Sequence, residues 1–424
     1  LSATFRALAH RNYRIWAGGA AVSNVGTWMQ RTAQDWLVLT QLTDHSAHTV
    51  GIVMGLQYGP PLLLLPLTGY AADHVDRRKL LLVTQAAQGL LALALGLLVV
   101  AGMVQLWQVY IFAFLLGCAT AFDGPARQTF VSELVPQADL ANAVGLNSTS
   151  FNGARMVGPA IAGLLIAGVG TGWVFLINAA SFAAVIASLR RIRVAELHRT
   201  ARAPRKPGAL LEGFRYVWAR PDLKATMLML FLIGTFGLNF PIFISTMAVT
   251  AFHAGAGRYG LLTSMMAIGT VSGALLAARR EQPHVALLLI AAALFGAGFV
   301  LAAVMPNYWL FGATLVLLGL SAQTFTTTVT SALQLSTEAA MRGRVMAIML
   351  AVVMGGTPLG APIVGWVADS FGPRWALGIG AASGFGAALV GLRYLLRHRG
   401  LRVFFGTGWP RFSIDGDPGT SEAK

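Results

Sequence analysis

A chain of 424 residues that is 56% hydrophobic and only 11% charged has too little polar surface for a soluble protein, since soluble domains carry about 25% charged residues. Its mean hydropathy of +0.65 suits repeated crossings of a bilayer, each needing roughly 20 apolar residues for about 30 Å of hydrocarbon. The net charge of +15 would suit a nucleic-acid binder, but the cations sit in short loops and at the two ends rather than on one amphipathic face, the positive-inside pattern of a membrane protein.

Arg6, Arg11 and Arg14 precede the first apolar run, which reads as a cytoplasmic start feeding a permanent first helix, with no cleavable signal. Twelve apolar stretches follow, near 14–41, 50–72, 80–101, 106–127, 140–168, 172–190, 221–250, 258–279, 285–304, 308–333, 343–368 and 374–396. With both termini in the cytoplasm, one face collects Arg77, Arg78 and Lys79, then Arg190, Arg191, Arg193, Arg199, Arg202, Arg205 and Lys206, then Arg279, Arg280, Arg342 and Arg344. The opposite face holds only Arg258 and Arg374, both near helix ends. The prediction is an all-α integral protein of the cytoplasmic membrane with twelve spans: a bundle over 1–190, a basic linker over 191–220, a second bundle over 221–396 and a cytoplasmic tail over 397–424. The linker carries Pro204 and Pro207 and room for a surface helix near Leu210–Trp218. The Gly/Ser/Asp-rich end, Asp415–Lys424, is expected to be disordered.

The two bundles repeat each other. Trp173, Ala179, Ala180 and Ser181 recur as Trp375, Ala381, Ala382 and Ser383, a shift of 202 positions (375 less 173). The same shift carries Leu116 and Gly117 onto Leu318 and Gly319, Trp107 onto Trp309, and Gly158 and Gly163 onto Gly360 and Gly365. A constant shift across three helices points to duplicated halves.

Ionisable residues within spans are costly and mark function. The second half has none near mid-membrane, because Arg258, Glu338 and Asp369 fall near helix ends. In the first half Arg155 lies roughly 24 Å into the fifth span at 1.5 Å per residue. Arg31 and Asp35 share one face of the first span, four residues apart. The functional reading makes Asp35 the titrating carboxylate, Arg31 its partner and Arg155 a cavity charge; the bland reading is a permanent Arg31–Asp35 pair that fixes the first helix. Asn24, Trp28, Gln57, Tyr58, Asn147, Asn152, Asn239, Gln323 and Thr324 are candidate cavity residues, though each alone fits a helix-packing hydrogen bond as well. A mostly apolar pocket with few polar groups suits amphipathic, drug-like solutes.

The loop after the second span reads Gly69-Tyr-Ala-Ala-Asp73-His-Val-Asp-Arg77-Arg78-Lys79. Gly69 sits one turn before Asp73 and permits close helix approach. Asp73 can accept from a neighbouring helix N-terminus, and Arg77 and Arg78 can reach a carboxylate such as Asp123, forming a conformational latch. The loop resembles the signature of the major facilitator superfamily, with Asp76 in place of a second glycine. Arg11-Asn-Tyr-Arg14, Thr27-Trp-Met-Gln-Arg31, Ala121-Phe-Asp123-Gly-Pro125-Ala-Arg127-Gln and Asp139-Leu-Ala-Asn142-Ala are similar to its enterobactin-exporter-like, drug-efflux branch. In the fifth span, Gly145, Ala154, Gly158-Pro159 and Ala162-Gly163 resemble the superfamily's antiporter motif, alanine replacing glycine twice. The arginine of many proton-coupled drug exporters, four residues before Gly117, is here Ala113.

The resemblance implies two six-helix bundles around a central site and a secondary transporter, not an enzyme. It would export small amphipathic solutes by alternating access, as a proton antiporter using the proton gradient and no cofactor, and as a monomer. Alternatives are a siderophore, lipid or sugar carrier without proton antiport, or, in another class, a non-transporting receptor or polytopic enzyme. Metal binding is not expected: Cys118 lies alone in an apolar span, and Asp44, His45 and His48 on one turn are weak ligands.

Overall fold

The computed structural model describes residues 3–65, 67–68, 71, 75–198, 209–278, 285–398, 402–404 and 411–413. Helices α1 (Arg11–Leu37), α2 (Ala47–Leu63), α3 (Arg77–Val100), α4 (Leu106–Leu134), α5 (Leu140–Val169) and α6 (Thr171–Arg191) build the first half. A linker helix α7 (Ala209–Ala219) leads to the second. There α8 (Pro221–Leu232) and α9 (Phe240–Thr246), joined by π turns, make a single span to Ala251. It is followed by α10 (Ala256–Ala278), α11 (Val285–Val304), α12 (Tyr308–Ser336), α13 (Ala339–Phe371) and α14 (Pro373–His398). Ten of these spans are long and apolar enough to cross a bilayer by length and composition alone. The first two complete the set: α1 is diluted by Arg31 and Asp35, and α2 is 17 residues long.

Local chemistry fixes the ends. Ser46, Asp76 and Asn307 cap α2, α3 and α12, accepting from the backbone N–H of Thr49 (3.2 Å), Lys79 (3.0 Å) and Leu310 (3.0 Å). Gly170 and Gly372, at φ +89° and +98°, stop α5 and α13. The tail contains an unanticipated antiparallel pair, β1 (Arg402–Phe404) with β2 (Arg411–Ser413). The segment expected to be disordered lies outside the described residues.

The halves are built alike. In the first, α1 packs on α5 and α6, α2 on α4, and α3 on α4 and α6. In the second, the seventh span packs on α13 and α14, α10 on α12, and α11 on α12 and α14. These are the same pairings by position in the bundle. Both first spans end on a π turn, Val38–Leu42 and Met247–Ala251, followed by a histidine with positive φ, His45 or His253. The two halves meet along an equally symmetric pair of crossings, α2 on α13 and α5 on α10.

The α5–α10 crossing gathers toward the face opposite the basic loops, here called the far face; α2 and α13 also pack there, and stay together as far as Leu62, which lies against Gly355. A Cβ at Gly51 would strike the Ala361 carbonyl, one at Gly365 the backbone of Ala47 and His48, and one at Gly260 the carbonyl of Pro159. Beyond the Ser264 hydroxyl, which donates to the Met156 carbonyl at 2.7 Å, α5 and α10 turn to their own halves. There Asn24 donates to Ser150, while Gly269 and Gly273 seat against α12. The molecule is thus closed at the far face, and its α5–α10 seam parts toward the basic face.

At the basic face a short 3-10 segment, Ala3–Ala9, is clamped on the start of α5. Asp139 takes Arg6 at 2.5 Å and His10 at 2.7 Å, and Asn142 accepts from the Ala7 N–H at 2.9 Å. The hydrogen bond from His10, aided by Arg6, holds the Asp139 carboxyl below its ordinary range. A depressed carboxylate stabilises above its unfolded value, about 3.9, and loses that contribution as pH falls through the lower folded value. Asp139→Asn should therefore speed tryptic cleavage at Arg6 and Arg11 several-fold at pH 7.5. The wild-type clamp should stay closed to pH 5, read by cysteine labelling at Ala7→Cys.

Candidate functional site

One stripe of α1 carries Asn24, Trp28, Arg31 and Asp35 at helical spacing. Gly158 of α5 lies against the Trp28 Cβ and the Val25 carbonyl, and this close approach brings Arg155, one turn earlier, onto the same indole. The Arg31 guanidinium carbon is 4.8 Å from the Trp28 ring centroid and 5.6 Å from that of Tyr58; Arg155 is 5.4 Å from Trp28. Phe151 meets the indole edge-on at 5.7 Å. Two cations and three aromatic rings, from α1, α2 and α5, thus converge where the halves begin to part.

Among the described residues neither guanidinium has a carboxylate within 4.0 Å, and the buried Arg31 Nε and Trp28 Nε1 have no hydrogen-bond partner. A cation–π contact contributes about 0.5–2 kcal/mol, whereas taking an ion out of water costs several. The rings alone do not offset the burial of two positive charges.

Asp35, one turn along from Arg31, bonds instead to the second half. Its side chain is buried, and Oδ2 accepts from the Tyr259 hydroxyl of α10 at 3.5 Å. Trp36 stacks on the same tyrosine, centroids 5.8 Å apart. The expected Arg31–Asp35 ion pair is therefore corrected: the spacing on α1 allows it, but packing draws Arg31 to Trp28 and Tyr58 and Asp35 across to the other half. Nothing in the sequence linked Asp35 to Tyr259.

The latch residues fall differently from expectation. Gly69 and Asp73 lie outside the described residues. Arg77 pairs with Glu133, not Asp123, because α4 continues to Leu134. Arg78 donates to the Leu189 and Arg190 carbonyls at the end of α6, at 2.7 and 3.3 Å. Asp123 pairs with Arg127 on its own helix at 3.1 Å and accepts from Thr84 (2.8 Å) and Gln85 (2.6 Å). All of these contacts stay within the first half.

Of the fifth-helix motif, Pro159 and Gly163 form the crossing with Gly260, Ala256 and Gly257, Gly158 seats Trp28, and Gly145 meets nothing within 4 Å. Several proposed cavity residues are instead packing bonds. Asn24 accepts from Arg127 at 3.2 Å, and Asn239 donates to the Thr235 carbonyl at 2.6 Å; Gln57 accepts from Gln34 at 3.2 Å and also lines a small cavity beside Arg31, as expected of a cavity residue. Asn152 donates to the Ser148 carbonyl, Gln323 to Thr327, and the Thr324 side chain is buried. Asn147 lines a separate pocket with Tyr13, Trp16 and Ser150. Only Trp28 and Tyr58 join the cation cluster. His48 contacts the Pro362 carbonyl at 3.0 Å, and His45 faces Asp44 at 3.4 Å.

Apart from Gln57 and Arg31, sequence reasoning missed a buried polar seam beside the cluster. Asn178 donates to Gln30 at 2.6 Å, Ser181 to Asn178 at 2.8 Å, and a small cavity there is lined by Gln30, Arg31, Gln34, Gln57 and Gln88. The available signal was glutamine at helical spacing in apolar spans: Gln30 and Gln34, Gln85 and Gln88.

Comparison with known proteins agrees with this architecture. The family model described as transmembrane secretion effector matches residues 2–402. The chain is 27% identical over 353 residues to the staphyloferrin A transporter of Staphylococcus aureus, covering 82% of this chain and 87% of that one. It is 26% identical to the enterobactin exporter EntS of Shigella flexneri, over 87% of both chains, and 26% identical to the multidrug efflux pump Tap of Mycolicibacterium fortuitum, over 83% and 88%. Among solved structures, an inward-facing, occupied bacterial homologue of the human lysosomal transporter Spinster superposes with a TM-score of 0.71. Its identity is 15%, and 91% of this chain and 97% of that one are covered. The nucleoside transporter NupG gives a TM-score of 0.70 at 13% identity, covering 92% and 100%. A family model matched over nearly the whole length, on a frame of two symmetric six-helix halves, establishes that the chain belongs to the transmembrane secretion effector family of the major facilitator superfamily: it is a multi-pass membrane transporter of small molecules.

Proposed function

We propose that the chain exports small amphipathic solutes, of the siderophore or drug-like class, from the cytoplasm in exchange for protons. The basic face is cytoplasmic, as the concentration of Arg and Lys there favours, so the described state is closed outside and parts inward. Relatives described as siderophore and multidrug exporters support the solute class.

The observation that carries the coupling is Asp35, a buried carboxylate bridging to Tyr259 of the other half near the closed face. Any state that opens outward must separate α1 from α10 at this level, break that bond and bring the carboxylate to outside water, where it takes a proton. Reclosure returns Asp35 to Tyr259, and the proton leaves inward as solute loads beside Arg31 and Arg155. No cofactor is needed, and the seam of glutamines around Gln30 and Gln88 gives the proton polar partners on its way.

The test is solute-stimulated proton movement in proteoliposomes with an imposed pH gradient. Asp35→Asn should lower gradient-driven transport at least a hundredfold while gradient-independent solute exchange stays within a few-fold. Unchanged gradient-driven transport in that variant would remove the carboxylate from the mechanism.

A further inference from the structure

We infer that the transported solute is an amphipathic organic anion, its negative group held between Arg31 and Arg155 and its apolar body against Trp28, Tyr58 and Phe151. This rests on the carrier reading above and narrows it to one charge class.

The charge inventory drives the inference. Arg11, Tyr13 and Arg14 stand at the start of α1 and His48 at the start of α2, away from the cluster; the other ionisable side chains on α1, α2 and α5 are Arg31, Asp35, Tyr58 and Arg155, and α10 adds Tyr259 beside Asp35. Asp123 on α4 is already matched by Arg127. The second half supplies no charge at this level among the described residues: Arg258 and Asp369 stand at the far face, and Glu338 at the basic face. Two cations therefore face one carboxylate, and that carboxylate is committed to Tyr259. The site is net positive whether or not Asp35 carries a proton.

The hydrogen-bonding inventory has the same sense. The two unpartnered buried atoms in the cluster, Arg31 Nε and Trp28 Nε1, are both donors. A guanidinium offers five N–H groups and no acceptor, so the cluster calls for a ligand rich in acceptors. A carboxylate or another planar or tetrahedral oxyanion supplies two or more, and charge-assisted bonds to it are the strong kind. A cationic amphipath would meet two like charges, and a neutral one would leave them unmatched. The rings fix the rest of the ligand: Trp28 and Phe151 in an edge-on pair, with Tyr58 beyond Arg31, present apolar surface for an aryl or alkyl body.

The experiment is equilibrium binding to the full chain in lipid nanodiscs, with empty nanodiscs as baseline, using three tritiated probes of one shape. These are 2-naphthoate, 2-naphthylmethanol and 2-naphthylmethylamine, the last a cation at neutral pH. Naphthoate should bind at least tenfold more tightly than either analogue. Arg31→Gln and Arg155→Gln should each weaken naphthoate at least tenfold, about 1.4 kcal/mol, and leave the alcohol unchanged. Arg155→Lys should retain part of the preference, which separates loss of charge from loss of fold. Equal binding of the alcohol or tighter binding of the amine overturns the anion inference while the carrier reading stands. A naphthoate preference that survives both Arg→Gln changes does the same. Binding of none of the three likewise overturns the anion inference, while the proton-coupling test on Asp35 stands apart from it.

Discussion

Gly260→Val is expected to abolish transport by denying the carrier its closed far face. Any Cβ at 260 would lie against the Pro159 carbonyl and the Gly163 Cα, and one at Gly163 against the Ala256 carbonyl and the Gly257 Cα. Both sides of this crossing are backbone, so no side chain can rotate to make room, and α5 and α10 must separate. Overpacking a core ordinarily costs about 1–3 kcal/mol even where neighbours can yield; here a cost on the order of 3 kcal/mol or more falls only on the state in which the helices touch. Each 1.4 kcal/mol is tenfold in a two-state equilibrium, so the closed state falls at least a hundredfold in population relative to its opposite. Distances between spin labels on α5 and α10 at the far face should lengthen, and solute exchange should stop. Gly168→Val, on the same α5 but with nothing within 4 Å of its Cβ position, should transport normally. A Gly260→Val protein that keeps wild-type distances would remove this crossing from the gate.

The spans were readable in the sequence because a bilayer imposes one rule over some 20 residues at a time. The expected and observed limits of α5 and α6 differ by at most a residue at each end. The fourth span runs on past its apolar core. Arg127 pairs with Asp123 one turn back, so α4 runs to Leu134 rather than stopping near residue 127. That extension is why Arg77 finds Glu133.

The site was legible only in part. Arg31 and Arg155 declared themselves as charges where charges are costly, and Trp28 and Tyr58 were named as polar-tipped aromatics nearby. Their convergence depended on Gly158, which reads in sequence as one small residue among many. The partner of Asp35 was invisible for a different reason. Tyr259 is 224 positions away in the other half, and the contact exists only because Pro159, Gly163 and Gly260 let the halves meet. Spacing along one helix predicts what can touch on that helix; it is silent on what another bundle brings.

Asp369→Asn should shift the carrier toward its open far face by about five- to thirty-fold. The sequence Gly365-Trp-Val-Ala-Asp369 repeats the spacing of Gly69-Tyr-Ala-Ala-Asp73 and stands at the far face. Its carboxylate, at the end of α13, accepts from the Ala47 N–H at 2.7 Å, the His48 N–H at 3.0 Å and the Ser46 hydroxyl at 2.9 Å. These groups are the open N-terminus of α2, where the helix dipole favours an anion, and Gly365 lets α13 lie close enough to reach it. Hydrogen bonds to a charged group contribute about 1.5–3 kcal/mol each where water is excluded. Asp369 is exposed, so solvent screening leaves roughly 1–2 kcal/mol for the set, and that is a factor of about 5–30 in population. An asparagine keeps the shape but loses the charge and one acceptor. With Cys118 changed to serine and a reporter at Ala361→Cys, which is fully buried at the α2–α13 crossing, a membrane-impermeant thiol reagent should label the wild type slowly from the far side and Asp369→Asn at least fivefold faster. On the proposed export cycle, in which solute loads at the basic face, the same variant should export more slowly at subsaturating solute while its binding to the parted state is unchanged. Equal labelling of the two proteins would mean that the glycine crossings hold the far face shut unaided.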